Sequence, residues 1–174
     1  MKDHQVLESK WLHSIEPSYK VNVDGAVFES QKEVSVGVVI RDHEGNFISG
    51  LSKKLQFPLG AVEIEAKAFE TRMIFAGDIG IQDFVLEGDS LILVRALCDT
   101  SPALASIAHA IYGVRAASYE FRNVKFSHVR RKGNVPTYIL AKQALYFDDF
   151  SVWIEKSPCS IEQALLYDVS VTFS

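Results

Sequence analysis

The stretch KVNVDGAVF, residues 20–28, predicts a β-strand, because Val21 and Val23 alternate with polar neighbours before three apolar residues. Asp24 lies in the middle of this predicted strand. Aspartate is depleted in strands and is rarely buried without a partner. A carboxylate at this position therefore indicates a partner that the strand does not itself supply.

Outward from this strand, the apolar pattern predicts a series of alternating elements. EVSVGVVIRD alternates along a second strand, and a short Gly-Asn turn leads to a third that begins at Phe47. The apolar period becomes helical over residues 61–76, and a short strand covers 84–87. Further helices come next, before a strand in NVKFSHVRR and a last helix. Strand-helix-strand connections are normally right-handed crossovers between parallel strands. The sequence therefore predicts an α/β fold with a mixed sheet and helices on its faces.

Composition predicts one domain of ordinary size. The chain has 174 residues, of which 48% are hydrophobic and 23% charged. We assign residues 1–18 to an N-terminal extension, 19–146 to the domain and 147–174 to a C-terminal tail with a short helix. The formal net charge of −4 argues against a uniformly basic nucleic-acid binder, so a polyanion would be held by local patches or metal ions.

Neither a secretory signal nor a membrane span is predicted. The first residues are too polar for a signal, and no run of about 18 apolar residues occurs. Cys98 and Cys159 match no metal-ligand spacing and are interpreted as two free thiols. We expect a soluble intracellular monomer without membrane partners, and the sequence does not distinguish nucleus from cytoplasm.

Three carboxylates are candidates for one site. Asp24 lies in a strand, Glu65 lies on the apolar stripe of a helix, and Asp89 comes directly after a strand end. Taken singly, Asp24 could bond a backbone amide, Glu65 could reach water at the rim of the core, and Asp89 could cap a helix. Together they would repel and be forced toward protonation unless a cation is present. Oxygen ligands suit Mg²⁺ or Mn²⁺, and such sites support phosphodiester hydrolysis.

Four motifs carry a family resemblance. KVNVDGA, AVEIEAKAFE, LEGDSLILV and FSHVRRKGN with the later ILAK resemble, in this order, the motifs of the type 1 ribonuclease H domain. The form is that of plant proteins related to retroelement reverse transcriptases, and the resemblance runs from about residue 11 to 145. The tail VWIEKSPCSIEQALLYDV also resembles the segment on the C-terminal side of the domain in that group.

This resemblance implies an RNase H-like fold with a five-stranded mixed sheet, three strands antiparallel and two parallel, and helices on both faces. It also implies cleavage of the RNA strand of RNA/DNA hybrids with Mg²⁺ held by four carboxylates, two ions being usual in the family. By motif position, Asp24, Glu65 and Asp89 match the first three as catalytic residues and metal ligands. Asp24 would be the ligand that bridges both ions.

The fourth carboxylate position departs from the family pattern. Four residues after Asn134, where an aspartate is expected before the LAK sequence, the chain has Tyr138. A neutral phenol with a reference pKa near 10 is a poor Mg²⁺ ligand. The resemblance therefore predicts that the second, water-activating metal site is weakened, whereas the site of Asp24, Glu65 and Asp89 survives.

Further residues are predicted to contact nucleic acid. The basic run after the last strand is either a solvated loop or a phosphate contact. The resemblance further implies that the backbone near Gly25 and the neighbourhood of Glu65 and Asp89 contact a 2′-hydroxyl. His128, on that strand, is interpreted as a packed or hydrogen-bonded residue. Asn134 is also expected to cap the last helix. The predicted nucleic-acid contacts are Gly25, Ser90, Arg130, Arg131, Lys132 and Asn134.

The preferred function is metal-dependent cleavage of RNA in RNA/DNA hybrids, weakened by loss of the fourth carboxylate. The alternative is a non-catalytic RNase H-like domain that binds nucleic acid or a protein, which Tyr138 favours. A third possibility is a piece of a reverse transcriptase polyprotein that acts only in cis.

Overall fold

Six strands form one mixed sheet in the order β5-β4-β1-β2-β3-β6. The computed structural model describes residues 18–55, 60–98, 105, 107–147 and 149–172. The strands are β1 (Tyr19–Phe28), β2 (Glu33–Arg41), β3 (Phe47–Leu55), β4 (Asp83–Gly88), β5 (Asn123–His128) and β6 (Phe150–Ile154). The strands β1, β2, β3 and β6 pair antiparallel in this order, whereas β4 and β5 run parallel to β1.

The sheet has six strands rather than the expected five. The additional strand β6 comes from the segment predicted to be a C-terminal tail, and it pairs with the edge of β3. The mixed sheet with helices on its faces is confirmed.

Among the described residues, five α-helices cover the two faces of the sheet. They are α1 (Ala61–Ile79), α2 (Leu91–Leu97), α3 (Ala108–Ser118), α4 (Val135–Gln143) and α5 (Cys159–Thr172). The helices α1, α2 and α3 pack on one face, and α4 and α5 pack on the other. In the described part of the chain, no helix combines the length and apolarity that a membrane crossing requires.

The larger core arises from the strand alternation. Val21 and Val23 of β1 join Val38 and Ile40 of β2 in one buried cluster, to which Phe69 of α1 also belongs. Because successive strand residues point to opposite faces, the residues between them face α4 and α5. The face that carries α4 therefore receives Asp24.

On that second face, α4 lies very close to the sheet. Val39 and Leu140 pack together there with two apolar residues of α5. A Cβ atom added at Gly37 would clash with the carbonyl oxygen of Thr137 and the backbone nitrogen of Ala141. Gly37 pairs directly with Asp24 in the sheet. The absence of a side chain at Gly37 thus allows the first turns of α4 to lie beside Asp24.

Charged side chains are buried farther along the same face. The Lys20 ammonium donates to Glu87 at 2.8 Å, and Asn22 donates to the other Glu87 oxygen, also at 2.8 Å. The Arg41 guanidinium pairs with Asp168 of α5 at 2.9 Å. Burial raises the pKa of Asp168, although Arg41 partly offsets this. We call Lys20, Arg41, Glu87 and Asp168 the ionic cluster, in which two cations balance two anions.

Candidate active site

A pocket of about 350 Å³ opens beside the carboxyl end of β4, next to the start of α4. We call it the Asp24 pocket. Six of the residues selected from the sequence line it: Asp24, Gly25, Asp89, Ser90, Arg131 and Tyr138. Ligand sites in open α/β sheets commonly lie outside the carboxyl ends of the parallel strands.

Asp24 is fixed by the sheet and by the start of α4. Its side chain is almost fully buried, and β1 is paired on both sides at or next to this residue. The Asn134 side-chain amide donates to the carbonyl oxygen of Val23. Asn134 occupies the N-cap position, as predicted, but its side chain makes no capping hydrogen bond. The buried amide therefore ties α4 to β1 beside Asp24.

The turn that carries Asp89 is fixed from β4 and β5. A Cβ at Gly88 would come within 2.6 Å of the Phe69 ring, so this glycine allows the ring to pack against the strand end. The His128 ring nitrogen Nε2 lies 3.1 Å from the Asp89 carbonyl oxygen. Because a carbonyl only accepts, Nε2 is the donor. His128 is therefore the hydrogen-bonded strand residue that was predicted, and it anchors this turn.

Arg131 brings a positive charge to the pocket. Its Nε atom lies 3.7 Å from Asp89 Oδ2, and its side chain is 82% exposed. Arg130 and Lys132 are also exposed, and a short 3₁₀ helix spans Arg131–Gly133. Exposed ion pairs contribute little stability, so the structural role of this contact is small.

Tyr138 presents an aromatic ring where the resemblance implies a fourth carboxylate. The residue is in the first turn of α4, is 37% exposed and lines the Asp24 pocket. The ammonium of Lys142, one turn later, lies 5.2 Å from the ring centroid. This side of the pocket therefore combines a neutral ring with a cation.

The described carboxylates fit one hard cation better than two. Asp24 and Asp89 line one pocket, whereas the side chain of Glu65 lies outside the described part of the structure. Among the described residues, no group of three or more His, Cys, Asp or Glu side chains could hold a metal. Mg²⁺ often uses only one or two carboxylates, with waters and phosphate completing its shell. Two carboxylates are therefore enough in number for one such ion, whereas Tyr138 supplies no anionic ligand for a second.

Comparison with known families agrees with this architecture. The sequence model of the family described as reverse transcriptase-like matches residues 22–144. The chain belongs to this family. No curated protein matches the chain.

Solved structures similar to this reverse transcriptase-like protein are RNase H domains, so its fold is RNase H-like. RNase H1 from the archaeon Halobacterium salinarum matches with TM-score 0.69 and 21% identity, covering 74% of this chain and 98% of its own. LC11-RNase H1 from compost, bound to an RNA/DNA hybrid, matches with TM-score 0.58 and 19% identity, covering 74% and 97%. A foamy viral protease-reverse transcriptase, also with a hybrid, matches with TM-score 0.56 and 15% identity, covering 84% and 22%.

Three features of this reverse transcriptase-like site were missed from the sequence. The close approach of α4 to Gly37 had a signal in the sequence, because an isolated glycine inside a strand often marks a nearby backbone. The Tyr138 and Lys142 pair also had one, since residues four apart share a helix face. The contact between His128 and the Asp89 carbonyl had no signal in the sequence, because it joins the ends of two strands that are 39 residues apart.

Proposed function

We propose that this reverse transcriptase-like protein hydrolyses the RNA strand of RNA/DNA hybrids with Mg²⁺ or Mn²⁺, at a rate limited by Tyr138. The observation that supports this function is that Asp24, Asp89 and Arg131 line one pocket. Two hybrid complexes of proteins with this fold, LC11-RNase H1 and the foamy viral enzyme, add support.

In this proposal Asp24, Glu65 and Asp89 hold the metal ion. Such an ion, when bound, activates water and neutralises charge that develops on the phosphate. The buried sheet position of Asp24 limits its motion, and His128 orients the Asp89 turn. These restraints reduce the reorganisation that would otherwise precede the reaction.

The nucleic-acid strand would lie across the same pocket. Arg131 would pair with a phosphate oxygen, and Arg130 and Lys132 would add weaker phosphate contacts. Gly25 and Ser90 would approach the ribose and its 2′-hydroxyl, which distinguishes RNA from DNA. Because Asn134 is fully buried, we give it the role of positioning α4 beside Asp24 rather than of direct contact.

A non-catalytic nucleic-acid-binding domain is the second candidate. It is favoured by Tyr138 in the Asp24 pocket, where a phenol replaces the ligand needed for the second cation. It is also favoured by the pairing of Asp89 with Arg131, because the guanidinium partly offsets the carboxylate charge that would attract a metal.

Substitution of Tyr138 separates the two candidates. With a labelled RNA/DNA hybrid, we expect slow cleavage by the wild type and a rise of at least about tenfold in Mg²⁺ for Tyr138→Asp, equivalent to about 1.4 kcal/mol in the barrier. The rise should be smaller in Mn²⁺. An acidic side chain in the first turn of a helix is itself favoured by about 0.3–1 kcal/mol, so the variant should fold.

The control is the double variant Asp24→Asn/Tyr138→Asp, which should be inactive in both metals. Circular dichroism and thermal melts establish that each variant is folded. If folded Tyr138→Asp is as inactive as the double variant, the nuclease proposal is wrong and the non-catalytic domain becomes the better account.

A further inference from the structure

Tyr138 lines the Asp24 pocket and pairs with Lys142, one turn later in α4. Helical side chains lean toward the N-terminus of their helix, so Lys142 reaches back over Tyr138. The 5.2 Å distance from its ammonium to the ring centroid is typical of a cation-π contact. This contact restricts the ring, and a restricted ring loses less conformational entropy when a ligand packs on it.

The surroundings of the ring suit a nucleotide. Val27 is 45% exposed in the same pocket and adds apolar surface next to the ring. Arg131 also lines the pocket, and the exposed Lys142 contacts the Tyr138 ring. The described carboxylate Asp89 thus has a cation beside it without a metal ion, and the Tyr138 ring has a second cation against it. An exposed ring between cationic side chains can stack on a base while the cations contact phosphates on either side.

We propose that the Asp24 pocket binds single-stranded nucleic acid without metal, with an unpaired base stacked on Tyr138 and the flanking phosphates bound by Arg131 and Lys142. This activity goes beyond the proposed hybrid cleavage and rests on it only in placing nucleic acid in the same pocket. Binding through stacking is tolerant of sequence, because every base has an aromatic face. The residue that disfavours a second metal site thereby becomes a specificity-determining contact for unpaired strands.

Fluorescence anisotropy with a labelled single-stranded 12-mer in EDTA tests the proposal. We expect Tyr138→Ala to weaken binding by roughly tenfold or more, and Tyr138→Phe to bind like the wild type because it keeps the ring. Lys142→Ala should reduce the log-log salt slope by about one unit, since one phosphate contact is lost. Tyr119, which is 89% exposed and does not line the pocket, gives the matched control Tyr119→Ala.

The same titrations with an RNA/DNA hybrid distinguish this proposal from the hybrid-cleavage function. If the wild type binds the hybrid but not the single strand, or if Tyr138→Ala binds the single strand like Tyr119→Ala, the stacking proposal is overturned and the proposed function stands. If the wild type binds neither nucleic acid in EDTA, the stacking proposal fails, and the cleavage assay in Mg²⁺ and Mn²⁺ alone decides the proposed function. Selective loss of single-strand binding in Tyr138→Ala, restored in Tyr138→Phe, supports the proposal.

Discussion

The ionic cluster and the Asp24 pocket lie at opposite ends of one sheet face, and their carboxylates have different surroundings. In the ionic cluster, Glu87 and Asp168 each have a cation within 2.9 Å, and both pairs are buried. In the Asp24 pocket, the nearby guanidinium is that of Arg131, 3.7 Å from Asp89 and largely exposed. A pocket opens at this end, whereas α5 covers Arg41 at the other.

This difference separates carboxylates that stabilise the fold from those that can bind a ligand. A buried carboxylate with a fixed cation has its charge compensated by the protein itself. A carboxylate on a pocket wall can instead meet a cation or a strand from solution. Substitutions at the two ends test this separation, beginning with the largest expected effect.

Removing one partner of the ionic cluster should be strongly destabilising. Asp168→Ala leaves Arg41 buried without the carboxylate it contacts, and such changes cost about 3–5 kcal/mol. Urea unfolding monitored by circular dichroism measures the loss. The exposed residue Asp78 provides the control, because Asp78→Ala should change the free energy of unfolding by no more than about 0.5 kcal/mol.

An apolar replacement of both partners sharpens this test. Arg41→Met combined with Asp168→Leu removes both charges and should recover most of the lost stability. If Asp168→Ala costs no more than Asp78→Ala, the ion pair is not structural, and the contrast between the two ends of the face is wrong.

A divalent metal ion should stabilise the fold only by binding in the Asp24 pocket. At about 100 times its dissociation constant, an ion that binds only the native state adds about 2.7 kcal/mol. We expect thermal melts in Mg²⁺ or Mn²⁺ to show this gain for the wild type and not for Asp24→Asn. Asp83, which pairs with Arg122 on the surface, gives the control Asp83→Asn, which should keep the gain. Equal shifts for the wild type and Asp24→Asn would place the metal elsewhere.

Separating α4 from the sheet should have the smallest effect on stability. Gly37→Ala forces a Cβ against the backbone of α4, which we expect to cost about 1–3 kcal/mol by overpacking. The control is Gly113→Ala in α3, where the added Cβ meets nothing within 4 Å and alanine favours the helix. Chemical denaturation compares the two. A neutral Gly37→Ala would mean that α4 adjusts freely and does not fix Tyr138 beside Asp24.

The alternating strands were predictable because each depends on a local pattern. Val36, Val38 and Ile40 share a face in EVSVGVVIRD and are buried together in the core. β6 was missed because its five residues have charged neighbours on both sides and lie in a segment interpreted as a tail. Its pairing with β3 is a tertiary contact that no local pattern carries.

Residues of the candidate site could be selected from the sequence, but their contacts could be predicted less well. Asp24 was selected because aspartate is unusual in a strand, and Asp89 because it lies at the carboxyl end of a strand, where ligand sites are common. The structure brings both to one pocket. Asn134 was expected to cap α4, because local propensity favours that role. Its side chain instead donates to Val23, more than 100 residues earlier, and only the packed structure reveals this contact.

The Arg41 and Asp168 pair also has a consequence for synthesis. The two residues are 127 positions apart. At about 5–20 residues per second, a ribosome needs roughly 6 to 25 s to add the residues between them. During that interval the first strands can pair, but the Arg41 charge has no α5 to cover it. The domain therefore reaches its final arrangement only after α5 has been synthesised, and Arg41 stays exposed to chaperones and aggregation until α5 emerges.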